Sequence, residues 1–180
     1  MLMPTKRISS GFFLALLLLA FLGCKKDEVT PGFDMIYQQE FSIPPGVGPF
    51  VTHHFYLKNL FTRYEALLMQ AGKTDAEIVG ILPVQAAIEG VFGDANFNIV
   101  EEAILRIYQE NDPNGYIEVA YRFPTPIDPS NRLDLIPSLA DAKRIMSEDR
   151  FSIDLLLRLR NTTSEDIPVR LSLQFKAGYE

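Results

Sequence analysis

The chain holds few residues of the types that do covalent or acid–base chemistry. Cys24 is its only cysteine, and His53 and His54 are its only histidines among 180 residues. On a strand, adjacent side chains point to opposite faces, so these two histidines would not clasp one ion, and no other His/Cys spacing supports zinc. Asp94-Ala95-Asn96-Phe97-Asn98 opens like a calcium loop, with oxygens at its first, third and fifth positions. Ile99 then stands where glycine is required and Leu105 where a bidentate glutamate is required, so no metal is expected. Gly46-Val47-Gly48 begins like a dinucleotide turn, but Pro49 intrudes and Val51 holds the place of the third glycine. Carboxylates pair at Glu101 with Glu102 and at Glu110 with Asp112. Hydrolysis of a glycosidic bond needs two carboxyls about 5–9.5 Å apart across a cleft, and sequence neighbours do not establish that. With neither a nucleophile elbow nor a Walker loop, no catalytic residue is assigned.

A binding surface has better material. Tyr108 and Tyr116 fall on the outer face of an expected hairpin, with Arg106, Glu118 and Arg122 nearby. Exposed tyrosines among charges offer an apolar face and a polar tip to a sugar ring or a partner protein. Tryptophan, the usual stacking platform of carbohydrate modules, is absent from the chain. Arg106, Tyr108, Tyr116 and Arg122 are the candidate binding patch.

Cys24 has a different setting. Lys6 and Arg7 precede twelve uncharged residues, Gly11–Leu22, and small Gly23 stands just before the cysteine. That apolar run has the length of a signal-peptide core, whereas a membrane-spanning helix needs about 18–20 residues. Phe21-Leu22-Gly23-Cys24 resembles the lipobox of bacterial lipoproteins, in which the signal peptide is cut before a lipid-modified cysteine. Phe21 and Leu22 depart from the commonest residues of that motif, and Gly23 and Cys24 fit it. Lys25-Lys26-Asp27-Glu28 is similar to the tag that follows the lipidated cysteine in many Bacteroidota lipoproteins exported to the cell surface, with Lys26, Asp27 and Glu28 as its core.

The resemblance implies residues 1–23 as signal peptide, 24–32 as lipidated cysteine and tether, and 33–180 as one domain. It implies diacylglycerol on Cys24 and no other cofactor, with the membrane as first partner. Each buried methylene contributes about 0.8 kcal/mol, and two or three acyl chains hold a protein essentially permanently. Cleavage would remove two cations and no acid, taking the formal charge from −6 to −8. An acidic chain without a basic cluster is unsuited to nucleic acid.

The elements that must position these residues are mostly strands. Phe151, Ile153, Leu155, Leu157 and Leu159 alternate with more polar neighbours, as do Val169, Leu171, Leu173 and Phe175. The intervening Asn161–Pro168 stretch is rich in turn formers, which predicts that the two strands are antiparallel neighbours. A hairpin is predicted over Ala103–Phe123, turning at Asp112-Pro113-Asn114-Gly115. That register sets Leu105 against Phe123 and Ile107 against Tyr121, but also Arg106 against Arg122 and Glu110 against Glu118, which is unfavourable. Further strands are expected at Phe33–Pro44, Val51–Asn59, Ile81–Gly90 and Asn131–Pro137. Helices are expected over Leu60–Ala71 with Gly72 as stop, after a capping box at Thr74–Glu77, and over Ser138–Ser147 with Ser138 as cap. The fold class that follows is mainly β, an antiparallel sandwich of jelly-roll type with two or three short helices.

The functional expectation is a lipid-anchored outer-membrane protein, at the cell surface or on the periplasmic face. Its domain would act as a non-enzymatic binding or accessory module for a protein or a glycan. The alternatives are a structural component of an envelope assembly and a hydrolase of envelope polymer using Glu101 or Glu102.

Overall fold

Alternation of apolar and polar side chains becomes eight strands in the computed structural model, which describes residues 30–93, 95–127 and 130–179. The strands are β1 Thr30–Ile43, β2 Thr52–Phe61, β3 Ile78–Gly90, β4 Val100–Gln109, β5 Asp112–Arg122, β6 Arg132–Pro137, β7 Arg150–Leu159 and β8 Ile167–Tyr179. Helix α1 spans Tyr64–Ala71 and helix α2 spans Lys143–Met146. The motif Phe21-Leu22-Gly23-Cys24 and the tag Lys26, Asp27 and Glu28 lie outside the described residues, as does Asp94. Thr30–Gly32, expected in the tether, open β1, with Thr30 opposite Tyr179 and Pro31 opposite Gly178.

All strand pairs are antiparallel, in the order β1-β8-β3-β6-β5-β4-β7-β2. The fold is therefore mainly β, as expected. In place of two separate stacked sheets, however, one sheet curls until it is nearly closed into a barrel. The inner face carries Met35, Ile43, Ile81, Leu105, Leu155 and Phe175, all essentially inaccessible to solvent. Burying an aliphatic or aromatic side chain of this kind contributes about 1.5–3 kcal/mol, so this face holds the sheet curled.

The closure is made by side chains, because β1 and β2 are the two edges. The Tyr37 hydroxyl on β1 donates to the Thr62 carbonyl just after β2 at 2.7 Å. Tyr37 also meets the Phe151 ring edge-on at 4.9 Å between centroids, and Phe41 packs on Phe55 at 5.4 Å. A buried proline in β3, Pro83, is accommodated where the register with β8 shifts, which is where a residue without an N–H fits in a sheet.

Three expectations are corrected. Strands β7 and β8 are not neighbours, since β7 lies between β4 and β2 while β8 lies between β1 and β3. Their linker crosses the barrel end, held by Thr163, whose N–H donates to the Val47 carbonyl and whose hydroxyl donates to that of Pro44. Alternation assigns a strand its face and leaves its neighbour open.

The β4–β5 hairpin turns at Glu110-Asn111, two residues earlier than expected, so that Arg106 opposes Glu118 and Ile107 opposes Ile117. The like-charged pairs of the expected register are thereby replaced by an opposite-charged one.

The helices are shorter than predicted. Leu60 and Phe61 stay in β2 opposite Phe151 and Arg150, and α1 starts only after Arg63. Gly72 ends α1 as expected, at φ 65° in the left-handed region. The helix predicted over Ser138–Ser147 contracts to α2, with Ala142 as N-cap; Ser138 donates to the Glu118 carbonyl, and Asp141, one residue before the N-cap, accepts from the Lys143 N–H. The Thr74–Glu77 box is present, over a single 3-10 turn at Asp75–Glu77.

Candidate functional site

The outer face of β2, β7, β4 and β5 carries the aromatic and charged residues that the core excludes. Register alone builds one row across it. Tyr56 is opposite Asp154, Asp154 opposite Arg106, and Arg106 opposite Glu118. Beside that row Tyr108 is opposite Ser152.

The rim comes from an irregularity in β5. Between the pairs Ile107–Ile117 and Gln109–Asp112, β4 advances two residues while β5 advances five. The predicted turn sequence does turn, but as a bulge inside the strand. Within it, the Gly115 N–H donates to Asp112 Oδ1 at 3.1 Å. A Cβ at position 115 would lie 2.0 Å from Asp112 Oδ2, so any side chain there requires the Asp112 carboxylate to turn away. Arg144 of α2 grips the bulge from its other side, donating to the Gly115 carbonyl and lying 3.7 Å from Asp112.

Sheet and bulge enclose a hollow of about 400 Å³ lined by Tyr56, Lys58, Tyr108, Asn114, Tyr116 and Asp154. Tyr116 and Tyr56 are about half exposed, and Tyr108 is buried at its floor. Burial pushes the Tyr108 phenol up, with the Glu110 carboxylate adding to the shift, so it remains a neutral hydrogen-bonding group at physiological pH. Arg106 covers the Tyr116 ring with its guanidinium 4.3 Å from the centroid. Its Nε is buried without a hydrogen-bond partner among the described residues, and Glu118 at 3.8 Å is too distant for one. On the other wall the His54 ring stacks on Tyr56 at 5.7 Å, and His54 Nδ1 donates to both Asp154 oxygens at 2.9 and 3.0 Å. A carboxylate accepts, so Nδ1 is the protonated nitrogen of this pair.

Three of the four residues expected in the binding patch meet here, namely Arg106, Tyr108 and Tyr116. Arg122 does not. A separate register shift, between Leu105 and Arg106, adds one residue to β5 at Val119 and sets Arg122 opposite core-facing Ala103. Tyr56, Lys58, Asp154 and Asn114 also line the site and were not singled out by sequence. Tyr56 had a usable signal, since it alternates with the inward Phe55 and Leu57, but its juxtaposition with β4 depends on strand order.

The carboxylate pairs take no catalytic arrangement. Glu101 and Glu102 both contact Arg158, at 3.0 and 3.4 Å, rather than facing each other across a gap. Glu110 accepts from the Ser152 hydroxyl at 2.6 Å. His53 and His54 do part, His53 Nε2 lying 2.8 Å from the Gly48 carbonyl. Among the described residues no three His, Cys, Asp or Glu side chains converge to hold a metal ion.

A second hollow of about 340 Å³ lies on β3 and β8, lined mainly by Val79, Leu82, Val84 and Ala177. It has no aromatic wall, and its one carboxylate, Asp141, is occupied by the Ile81 and Lys143 N–H groups. The tyrosine hollow is the better candidate on chemistry. Comparison with protein-family models and with curated proteins gives no match to this chain.

Proposed function

We propose that this chain is a lipoprotein of the outer membrane, cut after Gly23 and anchored by diacylglycerol on Cys24, whose β domain is a non-enzymatic binding module for a glycan. The observation that carries the binding reading is the hollow with Tyr56, Tyr108 and Tyr116 around Asp154, Asn114 and Lys58. Tyrosine rings present flat apolar faces to the C–H surface of a sugar, and the polar groups between them match its hydroxyls. Three tyrosines on strands form a platform that needs little ordering on binding, which favours affinity. Glu101 and Glu102, both on Arg158, favour binding over hydrolysis. The lipid anchor rests on Phe21-Leu22-Gly23-Cys24, and surface display rests on Lys26, Asp27 and Glu28.

Two measurements test this. Intact mass of the membrane-extracted protein should show a lipid-sized increment on Cys24, lost in Cys24→Ala, and protease shaving of intact cells should remove the domain. Screening of the detergent-solubilised full chain against a glycan array, followed by calorimetry, should yield a glycan whose affinity falls at least tenfold in Tyr56→Ala and in Tyr116→Ala. Absence of any glycan ligand, or one bound equally by both variants, would overturn the assignment of the hollow.

A further inference from the structure

Two carboxylates and one cation line the tyrosine hollow, namely Asp154, Glu110 and Lys58. Asp154 is the more buried of the acids, its side chain 13% exposed against 50% for Glu110. Both keep acceptor capacity to spare. The two Asp154 oxygens share a single N–H, that of His54, and Glu110 Oε1 takes the Ser152 hydroxyl. Among the described residues Glu110 Oε2 faces only the Lys58 ammonium, at 4.0 Å, beyond hydrogen-bond reach. An ionised carboxylate accepts at about four lone-pair positions, so a ligand's donors meet open acceptors here.

Lys58 shows which charge the hollow attracts. Its ammonium stands 5.7 Å from the centre of the Tyr56 ring while facing Glu110, on a side chain that is 60% exposed. A tyrosine face draws an ammonium through its quadrupole, more strongly where water is excluded. A lysine stem so exposed is free to swing out and yield its place to a ligand cation. Arg106 does not line the hollow and is matched by its own neighbours, standing between Asp154 and Glu118 across the strands and covering the Tyr116 ring.

Two carboxylates against one cation leave the hollow negative. The Tyr108 phenol at the floor registers that field, since after burial the Glu110 and Asp154 carboxylates both push its pKa up. Such a field repels an acidic sugar and favours a cationic one. We infer that the hollow selects a glycan with a free, protonated amine, an unacetylated amino sugar whose ammonium takes the place of Lys58 beside Tyr56 and Glu110. This step rests on the glycan reading proposed above.

The test is calorimetric titration of the detergent-solubilised full chain with three β-1,4-linked tetramers, of glucosamine, N-acetylglucosamine and glucose. One mildly acidic buffer, which keeps the sugar amine protonated, serves for all three. The glucosamine tetramer should bind at least tenfold more tightly than the other two. Glu110→Gln should erase most of that preference, and Lys58→Gln should tighten glucosamine binding several-fold, neither changing the affinity for the acetylated or neutral tetramer. Thermal melting checks that both variants stay folded. Equal binding of the three tetramers, an equal loss for all three in Glu110→Gln, weaker glucosamine binding in Lys58→Gln, or no binding of the glucosamine tetramer would each overturn the inference. Spermine, a tetraamine without sugar rings, separates the two ideas. Spermine bound as tightly as the glucosamine tetramer would refute the glycan reading and leave only the ammonium preference, whereas a neutral or acetylated tetramer bound best would refute the preference and leave the glycan reading standing.

Discussion

The Tyr37 hydroxyl and the Thr62 carbonyl, 2.7 Å apart, join the two edges of a sheet that has no backbone pairing between them. Burial pushes the Tyr37 phenol far up, against a smaller opposing effect of Arg63, so it stays a donor across the accessible pH range. Tyr37→Phe removes the donor and leaves the ring packed on Phe151. The expected loss is about 1–2 kcal/mol, including the cost of an unpaired buried carbonyl. Urea unfolding measures it, and an unchanged midpoint would refute a closing role for this bond.

Arg160 holds together the loops after β3, β5 and β7, at one end of the barrel, through three backbone carbonyls. Arg160→Met keeps much of the apolar stem and strands those acceptors, at a cost of about 2–4 kcal/mol. Hydrogen exchange should then quicken in the loops after β3, β5 and β7 more than in β1 or β8. Uniform quickening would mean that Arg160 supports the whole barrel rather than its loop end.

Gly115→Ala should deform the bulge that forms the rim of the tyrosine hollow, because the new methyl meets the Asp112 carboxylate. The carboxylate can rotate away, so the stability cost is small, about 1 kcal/mol or less, and the larger effect falls on ligand affinity. Placing the same change in an Asp112→Ala background should reduce its cost, as coupling between touching residues requires. Equal costs in both backgrounds would show that the contact is not the reason for glycine.

Glu77 is held at a pKa of about 2, chiefly by Lys73 and then by the Thr74 N–H and hydroxyl. A depressed carboxylate contributes stability that is present above its unfolded value, near 4.5, and is lost as pH falls toward 2. The wild type should therefore exceed Glu77→Gln in stability at neutral pH and converge with it below that window. Parallel stability curves from pH 5 to pH 2 would contradict the assignment.

Side-chain alternation made the strands of this protein readable, because a period of two survives wherever one face is buried. Asp112-Pro113-Asn114-Gly115 was legible as a turn but not as a bulge, since local turn chemistry does not register the charge of Arg106 and Glu118 several residues away. The tyrosine hollow was half legible. Tyr108 and Tyr116 share a hairpin, which sequence proximity reveals, while Tyr56 and Asp154 arrive through strand order. Arg122 was misplaced by a second register shift, between Leu105 and Arg106, which exchanges the faces of β5 on either side of Val119. The exposed Phe50, Phe92 and Ile127 lay in loops, where no periodicity distinguishes an outward apolar residue from a buried one.

The sheet divides at β5 and β6, which share only the pairs Ala120–Pro137 and Tyr121–Ile136. On one side lie β1, β3, β6 and β8, and on the other β2, β4, β5 and β7. Apart from the β4–β5 hairpin, every connection leaves one set for the other. No contiguous stretch of chain can therefore assemble either set alone, and β8, made after the seven others, is the strand that both β1 and β3 await. A chain so ordered closes its contacts late and slowly, remaining open until nearly all of it has been delivered.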